Sequence, residues 1–233
     1  MVYVTSDLHG YSLDEFKRLL KKADFSEGDY CFVLGDVIDR GDNGIELLEW
    51  LMIQPNIELL LGNHETFLLS NLFLFTTITD DNINQLNLEQ LELFYTWMDN
   101  GGKPTVDELR KRPIQAINDI VEYVKNAPLY ETIKVGSKDF LLTHSALDNF
   151  DKDKPLDQYT EHDFLWHRPN MEEKFYDDVI CVFGHTPTAL YGSEYRGKIL
   201  KTETWINVDT GASGGLPPAL LRLDDMKEFY LND

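Results

Sequence analysis

The chain has 233 residues, of which 42% are hydrophobic, and this is enough for one well-cored domain over residues 1–233. Its 41 acidic residues outnumber the 21 basic ones and give a formal net charge of -20. Because such a surface repels phosphate backbones and anionic lipids, we expect neither bulk nucleic acid nor a membrane as a partner. No apolar run is long enough to span a bilayer, and a cytoplasmic location is the default expectation.

Three strand–turn–helix units are predicted in the first 75 residues. Residues 2–6, 30–34 and 57–61 have the pattern of short buried strands, and each is followed by a polar turn and an amphipathic helix. This alternation is typical of a largely parallel α/β sheet. Sites in such sheets form beyond the carboxyl ends of the strands. At those ends this chain carries Asp7 and His9, Asp36, and Asn63.

Residues 76–127 have a different pattern, which we interpret as a helical insertion beside the sheet. A polar loop is predicted at its start, from Asp80, Asp81, Asn82 and Asn84. A helix through Trp97 is expected to end at Asn100-Gly101-Gly102, Thr105 to cap a short helix, and Pro113 to open another. We expect this insertion to shape a substrate cleft.

The second half of the chain predicts mostly strands joined by short turns. A hairpin is expected around Gly136-Ser137, then a buried strand at residues 179–183, then four C-terminal strands prone to antiparallel pairing. Two of the strands end in a histidine, His144 and His185. The whole pattern predicts an α/β fold with two mixed sheets packed face to face and flanked by helices.

Five apolar strands thus end in potential metal ligands. They are Asp7 and His9, Asp36, Asn63, His144, and His185. Carboxylate, amide and imidazole donors without a thiolate suit Mn, Fe or Zn in a catalytic site. Six donors are too many for one ion that must keep open coordination positions. Two ions that share a bridging carboxylate fit better, and this arrangement is used for displacement at phosphorus.

The order of the motifs resembles that of the calcineurin-like metallophosphoesterases. The motifs are Asp-x-His at 7–9, Gly-Asp-x-x-Asp-Arg-Gly at 35–41, Gly-Asn-His-Glu at 62–65, His144, and Gly-His-Thr at 184–186. Their Asp-Arg-Gly and Gly-His-Thr versions are similar to those of the phosphoprotein phosphatase family. Bacterial members of that family include Ser/Thr protein phosphatases and symmetrical diadenosine-tetraphosphate hydrolases. The resemblance implies a four-layer αββα sandwich and two divalent metal ions, with Mn favoured and Fe or Zn as alternatives.

The resemblance also implies a role for each site residue. The implied metal ligands are Asp7 and His9 on the first ion, Asp36 as the bridge, and Asn63, His144 and His185 on the second ion. His64 would be the general acid that protonates the leaving oxygen, oriented by Asp39. Arg40 would hold the phosphoryl oxygens, and Arg168 would be a second phosphate-binding arginine.

We expect a metal-dependent phosphoester hydrolase, with a Ser/Thr phosphoprotein phosphatase as the main interpretation and a symmetrical dinucleoside-polyphosphate hydrolase as the alternative. A catalytically silent metal-binding scaffold would have lost a ligand or the general acid, and none is missing. A DNA-repair nuclease of the wider superfamily typically has a second histidine where this chain has Pro187. The chain departs from the family pattern at Ser145-Ala146, where Ala-Gly is common, and His162 and His167 match no motif.

Overall fold

Two five-stranded mixed β-sheets form the centre of the molecule in the computed structural model, which describes residues 1–75 and 87–232. The strands are β1 (Val2–Thr5), β2 (Tyr30–Val33), β3 (Ile57–Leu59), β4 (Tyr130–Val135), β5 (Lys138–Thr143), β6 (Val179–Phe183), β7 (Leu200–Lys201), β8 (Trp205–Asn207), β9 (Ala219–Arg222) and β10 (Lys227–Tyr230). The first sheet has the order β10-β9-β1-β2-β3 and the second has the order β4-β5-β6-β8-β7. The predicted pair of mixed sheets is confirmed.

Both faces of each sheet are buried. Along β2, Phe32 packs in the layer between the sheets, whereas Cys31 and Val33 pack on the helical side. Along β6, Val182 faces the inter-sheet layer while its neighbours Cys181 and Phe183 face outward into a third apolar cluster. Successive side chains of a strand point to opposite faces, so these unbroken apolar runs produce the predicted αββα layering.

The first three helices follow the parallel strands β1, β2 and β3. They are α1 (Leu13–Lys22), α2 (Gly44–Leu51) and α3 (Asn63–Ser70). Ser12 caps α1, since its hydroxyl accepts the N–H of Glu15 at 3.4 Å. The helix α3 ends at Ser70, where the Asn71 side chain donates to the Phe67 carbonyl at 2.9 Å, and a short 3-10 turn follows.

Three further helices belong to the predicted insertion: α4 (Leu88–Asp99), α5 (Lys103–Leu109) and α6 (Ile114–Lys125). Their buried side chains, among them Trp97 and Ile120, join the same apolar cluster as α1, α2 and α3. The predicted polar loop at residues 80–84 lies outside the described residues. No helix in the described part of the chain combines the length and apolarity needed to cross a bilayer.

The expectation that Thr105 caps a helix is wrong. The helix α5 begins two residues earlier, at Lys103, with Pro104 in its first turn. Pro is well tolerated there because the first N–H groups of a helix have no intrahelical partner. The Thr105 hydroxyl instead contacts Asp39, a residue that follows β2.

The C-terminal strands divide between the two sheets. β7 and β8 join the second sheet, where β8 runs parallel to β6, and β9 pairs antiparallel with β1 of the first sheet. The short helix α7 (Glu161–Leu165) packs on the outer face of the second sheet through Phe164 and Leu165. Both sheets therefore contribute strand ends to the site described below.

Candidate active site

All six predicted metal ligands are buried, and none is more than 6% exposed. The first sheet provides Asp7 and His9 after β1, Asp36 after β2 and Asn63 after β3. The second sheet provides His144 after β5 and His185 after β6. The structure brings them together in two groups that share Asp36.

The first group, the Asp7 cluster, consists of Asp7, His9 and Asp36. The His9 Nδ1 lies 3.1 Å from the Ile38 carbonyl oxygen and donates to it, which leaves the Nε2 lone pair directed into the cluster. That Nε2 lies 3.5 Å from Asp36 Oδ2 and 3.8 Å from Asp7 Oδ1. The second oxygen of Asp7 accepts the backbone N–H of His185 at 2.8 Å, which links the two sheets.

The second group, the Asn63 cluster, consists of Asp36, Asn63, His144 and His185. The His144 Nδ1 donates to the Leu34 carbonyl at 2.7 Å, so its Nε2 carries a lone pair. This Nε2 lies 2.8 Å from Asn63 Oδ1 and 3.5 Å from Asp36 Oδ1. The His185 Nδ1 lies 3.0 Å from the same Asn63 oxygen, and its buried Nε2 has no hydrogen-bond partner in the described structure.

The two clusters fit divalent cations. Metal–ligand bonds of about 2.0–2.2 Å place neighbouring ligand atoms roughly 3–3.5 Å apart, and the facing atoms here are 2.8–3.8 Å apart. Burial lowers the pKa of His9 to about 3 and also lowers the pKa of His144, so both imidazoles are neutral, as metal binding requires. Burial and the nearby Asp7 raise the pKa of Asp36 well above its ordinary value, so a divalent cation at this position would stabilise the charged carboxylate.

Strained backbone is concentrated at the site. The non-glycine residues with left-handed φ angles between 42° and 71° include Asp7, His9, Asp36, Asp39, Arg40 and His185. Such conformations cost on the order of 1 kcal/mol or more each and persist where the surroundings fix them. One element that fixes them is the carboxylate of Glu65, which accepts the N–H groups of Asp36, Val37 and Gly62 at 2.8, 2.9 and 3.1 Å.

Gly62 also allows the turns after β2 and β3 to touch. A Cβ atom at this position would lie 2.4 Å from the backbone nitrogen of Asp36. Real Cβ atoms do not approach so closely, so any side chain here would push Asp36 away from both clusters. The glycine of the Gly-Asn-His-Glu motif is thus required by the close approach of two backbones.

The predicted general acid lies beside the shared carboxylate. The His64 Nδ1 donates to Asp39 Oδ2 at 2.6 Å, and its Nε2 faces Asp36 Oδ2 at 3.8 Å and the Arg40 guanidinium at 3.2 Å. Burial, followed by the charge of Arg40, lowers the pKa of His64. The imidazole is therefore neutral in this arrangement and accepts a hydrogen bond from Arg40.

Sequence reasoning missed the groups that hold Asp39. Its carboxylate accepts the Trp97 indole N–H at 2.8 Å and the Thr105 hydroxyl at 2.5 Å. Burial raises the pKa of Asp39 to about 7, while the hydrogen bonds from Thr105 and Trp97 and the charge of Arg40 oppose that rise. No local pattern pointed to these two residues, because they lie 58 and 66 positions away in the chain.

A cavity of about 200 Å³ opens in front of the clusters. Besides the predicted residues, its lining includes Asn100, Trp166, Leu190 and Asp209. Arg40 and Arg168 also line it and are both exposed, as expected for residues that contact a substrate. Arg168 therefore borders the same cavity as the predicted metal ligands.

Asp209 is a buried carboxylate that the sequence could have indicated. It follows β8, and its Oδ1 accepts the backbone N–H of Gly211 at 2.9 Å. Burial and the nearby Asp7 raise its pKa well above the ordinary value. The strand-like segment Trp205-Ile206-Asn207-Val208 precedes this aspartate as apolar strands precede the other site residues, although Asn207 interrupts its apolar pattern.

The departure at Ser145 has a structural role. Its hydroxyl accepts the His167 N–H at 3.1 Å, and its own N–H donates to the Phe164 carbonyl at 3.0 Å. These two bonds attach the segment with Trp166 and Arg168 to the turn after His144. The His167 Nε2 lies 2.7 Å from a carboxylate oxygen of Glu173, away from the clusters, and His162 is exposed.

Comparison with known proteins gives the family. A family model described as calcineurin-like phosphoesterase matches residues 1–204. The chain belongs to this family. Family members use divalent metal ions to hydrolyse phosphoesters, which agrees with the lone pairs that converge on Asp36.

Relatives within the calcineurin-like phosphoesterase family carry two kinds of name. A symmetrical bis(5'-nucleosyl)-tetraphosphatase of Chromobacterium violaceum is 33% identical over 101 residues, which are 42% of this chain and 36% of that protein. A human serine/threonine-protein phosphatase with EF-hands is 34% identical over 108 residues, which are 43% of this chain and 16% of that protein. The matches thus span little more than a third, or less, of these relatives' own length.

Solved structures of similar fold extend over the whole chain. One described as "a putative diadenosine tetraphosphatase" superposes with a TM-score of 0.66 and 18% identity, covering 100% of this chain and 94% of that chain. At this identity the likeness shows the fold alone. It agrees with the two mixed sheets and outer helices of the calcineurin-like phosphoesterase fold.

Proposed function

We propose that this calcineurin-like phosphoesterase is a dinuclear-metal-dependent hydrolase of symmetrical dinucleoside tetraphosphates. The observation that carries the proposal is the orientation of Asp36. Its Oδ2 faces His9 and its Oδ1 faces His144, so that one carboxylate serves two separate sets of lone pairs. This is the arrangement expected of a ligand that bridges two ions.

The metal ligands in this proposal are those that the motifs implied. They are Asp7, His9 and Asp36 for the first ion, and Asp36, Asn63, His144 and His185 for the second. Oxygen and nitrogen donors without a thiolate favour Mn, with Fe or Zn as alternatives. Two bound divalent cations supply a nucleophile from water at neutral pH and neutralise charge on the phosphoryl oxygens.

The remaining site residues bind phosphate and move one proton. Arg40 and Arg168, which line the cavity, hold the phosphoryl oxygens with charge-assisted hydrogen bonds. His64 gives a proton from Nε2 to the leaving oxygen, while Asp39 holds the opposite ring nitrogen. In the structure Arg40 donates to that Nε2, so the role requires Arg40 to turn toward the substrate and Nε2 to take up a proton from water before it protonates the leaving oxygen.

Two observations support a dinucleoside tetraphosphate as the substrate. The Chromobacterium relative is named for this activity, and it matches a larger share of its own length than the human phosphatase does. In addition, Trp166 lines the cavity with 38% of its surface exposed, and Leu190, which is 71% exposed, lines the same cavity. An exposed indole beside a phosphate-binding arginine offers a surface on which a nucleobase can stack.

A Ser/Thr phosphoprotein phosphatase is the second candidate. The human relative carries that name and is 34% identical over the matched residues. The same residues would cleave a phosphoserine ester, because the chemistry at phosphorus is shared. The two candidates differ in what surrounds the phosphate, a nucleoside or a peptide.

A substrate panel tests the proposal. The chain, loaded with Mn, is incubated with diadenosine tetraphosphate, a phosphoserine peptide and p-nitrophenyl phosphate, and the products are separated by chromatography. We expect diadenosine tetraphosphate and water to give two molecules of ADP, at a kcat/KM above that for the peptide. A higher kcat/KM for the peptide would select the second candidate. Cleavage of none of the three would refute hydrolase activity.

A further inference from the structure

The Asp39 carboxylate accepts hydrogen bonds from three side chains. Asp39 is completely buried, and its Oδ2 accepts both the His64 Nδ1–H at 2.6 Å and the Trp97 indole N–H at 2.8 Å. Its other oxygen accepts the Thr105 hydroxyl at 2.5 Å. The Thr105 oxygen in turn accepts the backbone N–H of Asp39 at 3.0 Å. Thr105 therefore fixes both the main chain and the side chain of Asp39.

The two donors Trp97 and Thr105 come from the predicted insertion and are buried. Trp97 lies near the end of α4 and Thr105 in the first turns of α5, and both are at most 1% exposed. A buried carboxylate must be hydrogen-bonded. Because the two oxygens are held from different directions, the carboxylate cannot rotate about its Cβ–Cγ bond without losing a bond.

The turn between α4 and α5 also contacts Arg40, the residue after Asp39. The Arg40 N–H donates to the Gly101 carbonyl at 2.9 Å. Gly101 has a φ of +95°, and a Cβ there would lie 2.8 Å from Arg40 Cγ. A Cβ on the neighbouring Gly102 would lie 2.5 Å from the Trp97 indole. The turn thus packs against Arg40 and Trp97 with no space for a side chain.

We propose that Trp97 and Thr105 are positioning residues for the reaction: they hold the Asp39 carboxylate so that the His64 ring presents Nε2 to the leaving oxygen. The inference rests on the proposed function for its kinetic consequence, but its structural content concerns Asp39 and His64 alone. The predicted insertion, on this view, aligns the proton donor in addition to bordering the cavity through Asn100.

The kinetic test uses leaving groups that differ in their need for a proton. The variants are Thr105→Val, which removes only the hydroxyl, and Trp97→Phe, which keeps an aromatic ring but removes the N–H. The substrates are p-nitrophenyl phosphate, whose leaving group departs readily without a proton, and phenyl phosphate, whose leaving group is more basic. A misplaced proton donor slows the second substrate selectively, and we expect kcat to fall by about tenfold to a hundredfold for phenyl phosphate and by less than about threefold for p-nitrophenyl phosphate.

Matched controls are present in the chain. Thr96→Val changes an exposed threonine one position before Trp97, and Trp50→Phe changes a half-buried tryptophan far from Asp39. Both should leave the ratio of the two rates unchanged. Thr105→Ser restores a hydroxyl and should recover most of the phenyl phosphate activity, which a variant with a merely loosened core would not do.

A second readout does not depend on activity. The proton NMR spectrum of the metal-free chain should contain a strongly downfield signal from the His64 Nδ1–H, which disappears in His64→Asn. We expect this signal to shift or to broaden through exchange with water in Thr105→Val and Trp97→Phe, and to return in Thr105→Ser. An unchanged signal, or an equal loss of rate on both substrates, would overturn the positioning role. If the wild-type chain cleaves neither aryl phosphate, hydrolysis of diadenosine tetraphosphate decides the proposed function, and the NMR signal separately decides the positioning inference.

Discussion

At the scale of single residues, the site is built from lone pairs that face one another. In His9 and His144 the Nδ1–H donates to a backbone carbonyl, that of Ile38 and of Leu34 respectively. The Nε2 of each ring faces Asp36. Acceptor atoms at such distances repel unless a cation lies between them. The carbonyl partners therefore do more than satisfy hydrogen bonds, because they select the ring nitrogen that remains available for a metal ion.

The first prediction concerns the shared carboxylate. Asp36→Asn removes the negative charge of the proposed bridge and leaves one ligand oxygen in place of two, so it should abolish stable binding of two ions, as measured by elemental analysis of the desalted protein. Asp24→Asn is the matched control, since Asp24 is exposed and has a φ of 56°, almost the same as the 55° of Asp36. Two ions still bound to Asp36→Asn would refute the bridge.

The second prediction concerns the proton donor. His64→Asn should keep its metal content, because the ring lies outside the proposed ligand set, yet lose about 10²–10⁴-fold in kcat on substrates with basic leaving groups. His162→Asn, at an exposed histidine, should retain both metal and turnover. Near-normal turnover of His64→Asn would rule out the assigned role, and lost metal would make His64 a ligand instead.

At the scale of elements, the turns after β2 and β3 behave as one unit. Glu65, in the first turn of α3, reaches back to accept N–H groups from the loop that carries Asp36, at 2.8 and 2.9 Å. Hydrogen bonds to a charged group are worth about 1.5–3 kcal/mol each. Glu65, which is not among the proposed metal ligands, therefore stabilises the left-handed backbone at Asp36.

The third prediction tests that unit. Glu65→Gln keeps the shape of the side chain but presents an amide NH₂ to backbone N–H donors, so at least one buried N–H loses its acceptor. We expect the free energy of unfolding to fall by about 2–4 kcal/mol in urea titrations. Glu203→Gln, whose carboxylate is 77% exposed, should change it by less than about 0.5 kcal/mol. Equal effects in the two variants would contradict the role given to Glu65.

The elements also show where sequence reasoning succeeds. Asp7, Asp36, Asn63, His144 and His185 could be selected because each follows an apolar strand, and the carboxyl ends of such strands meet at one edge. Local pattern and tertiary position agree there. Asp209 also follows a strand, β8, but Asn207 interrupts the apolar pattern there and weakens the signal.

Other contacts could not be read from the sequence. The Thr105 pattern resembled a helix cap, but its hydroxyl bonds Asp39, 66 residues away, and a local rule contains no information on such a partner. The division of the last four strands between two sheets is equally non-local, since it depends on which existing edge each strand meets. The end of α3 at Ser70 has a local cause, the hydrogen bond from the Asn71 side chain to the Phe67 carbonyl.

At the scale of the whole molecule, neither sheet contains a complete site. The first sheet supplies Asp7, His9, Asp36 and Asn63, and the second supplies His144 and His185. The layer between the sheets, which includes Phe32, Phe140 and Val182, holds the two halves in register. Because Asp36, the proposed bridging ligand, lies at the junction, metal binding should stabilise the packing of one sheet on the other.

The number of metal ions bound per chain is the most direct test of the proposed dinuclear centre around Asp36. Metal-free protein is titrated with Mn²⁺ and the bound ion is measured after equilibrium dialysis, while hydrolysis of p-nitrophenyl phosphate is followed at each point. We predict that binding saturates at two ions per chain and that hydrolysis appears as the second ion binds. Saturation at one ion, or hydrolysis by the metal-free chain, would contradict a dinuclear centre built around Asp36.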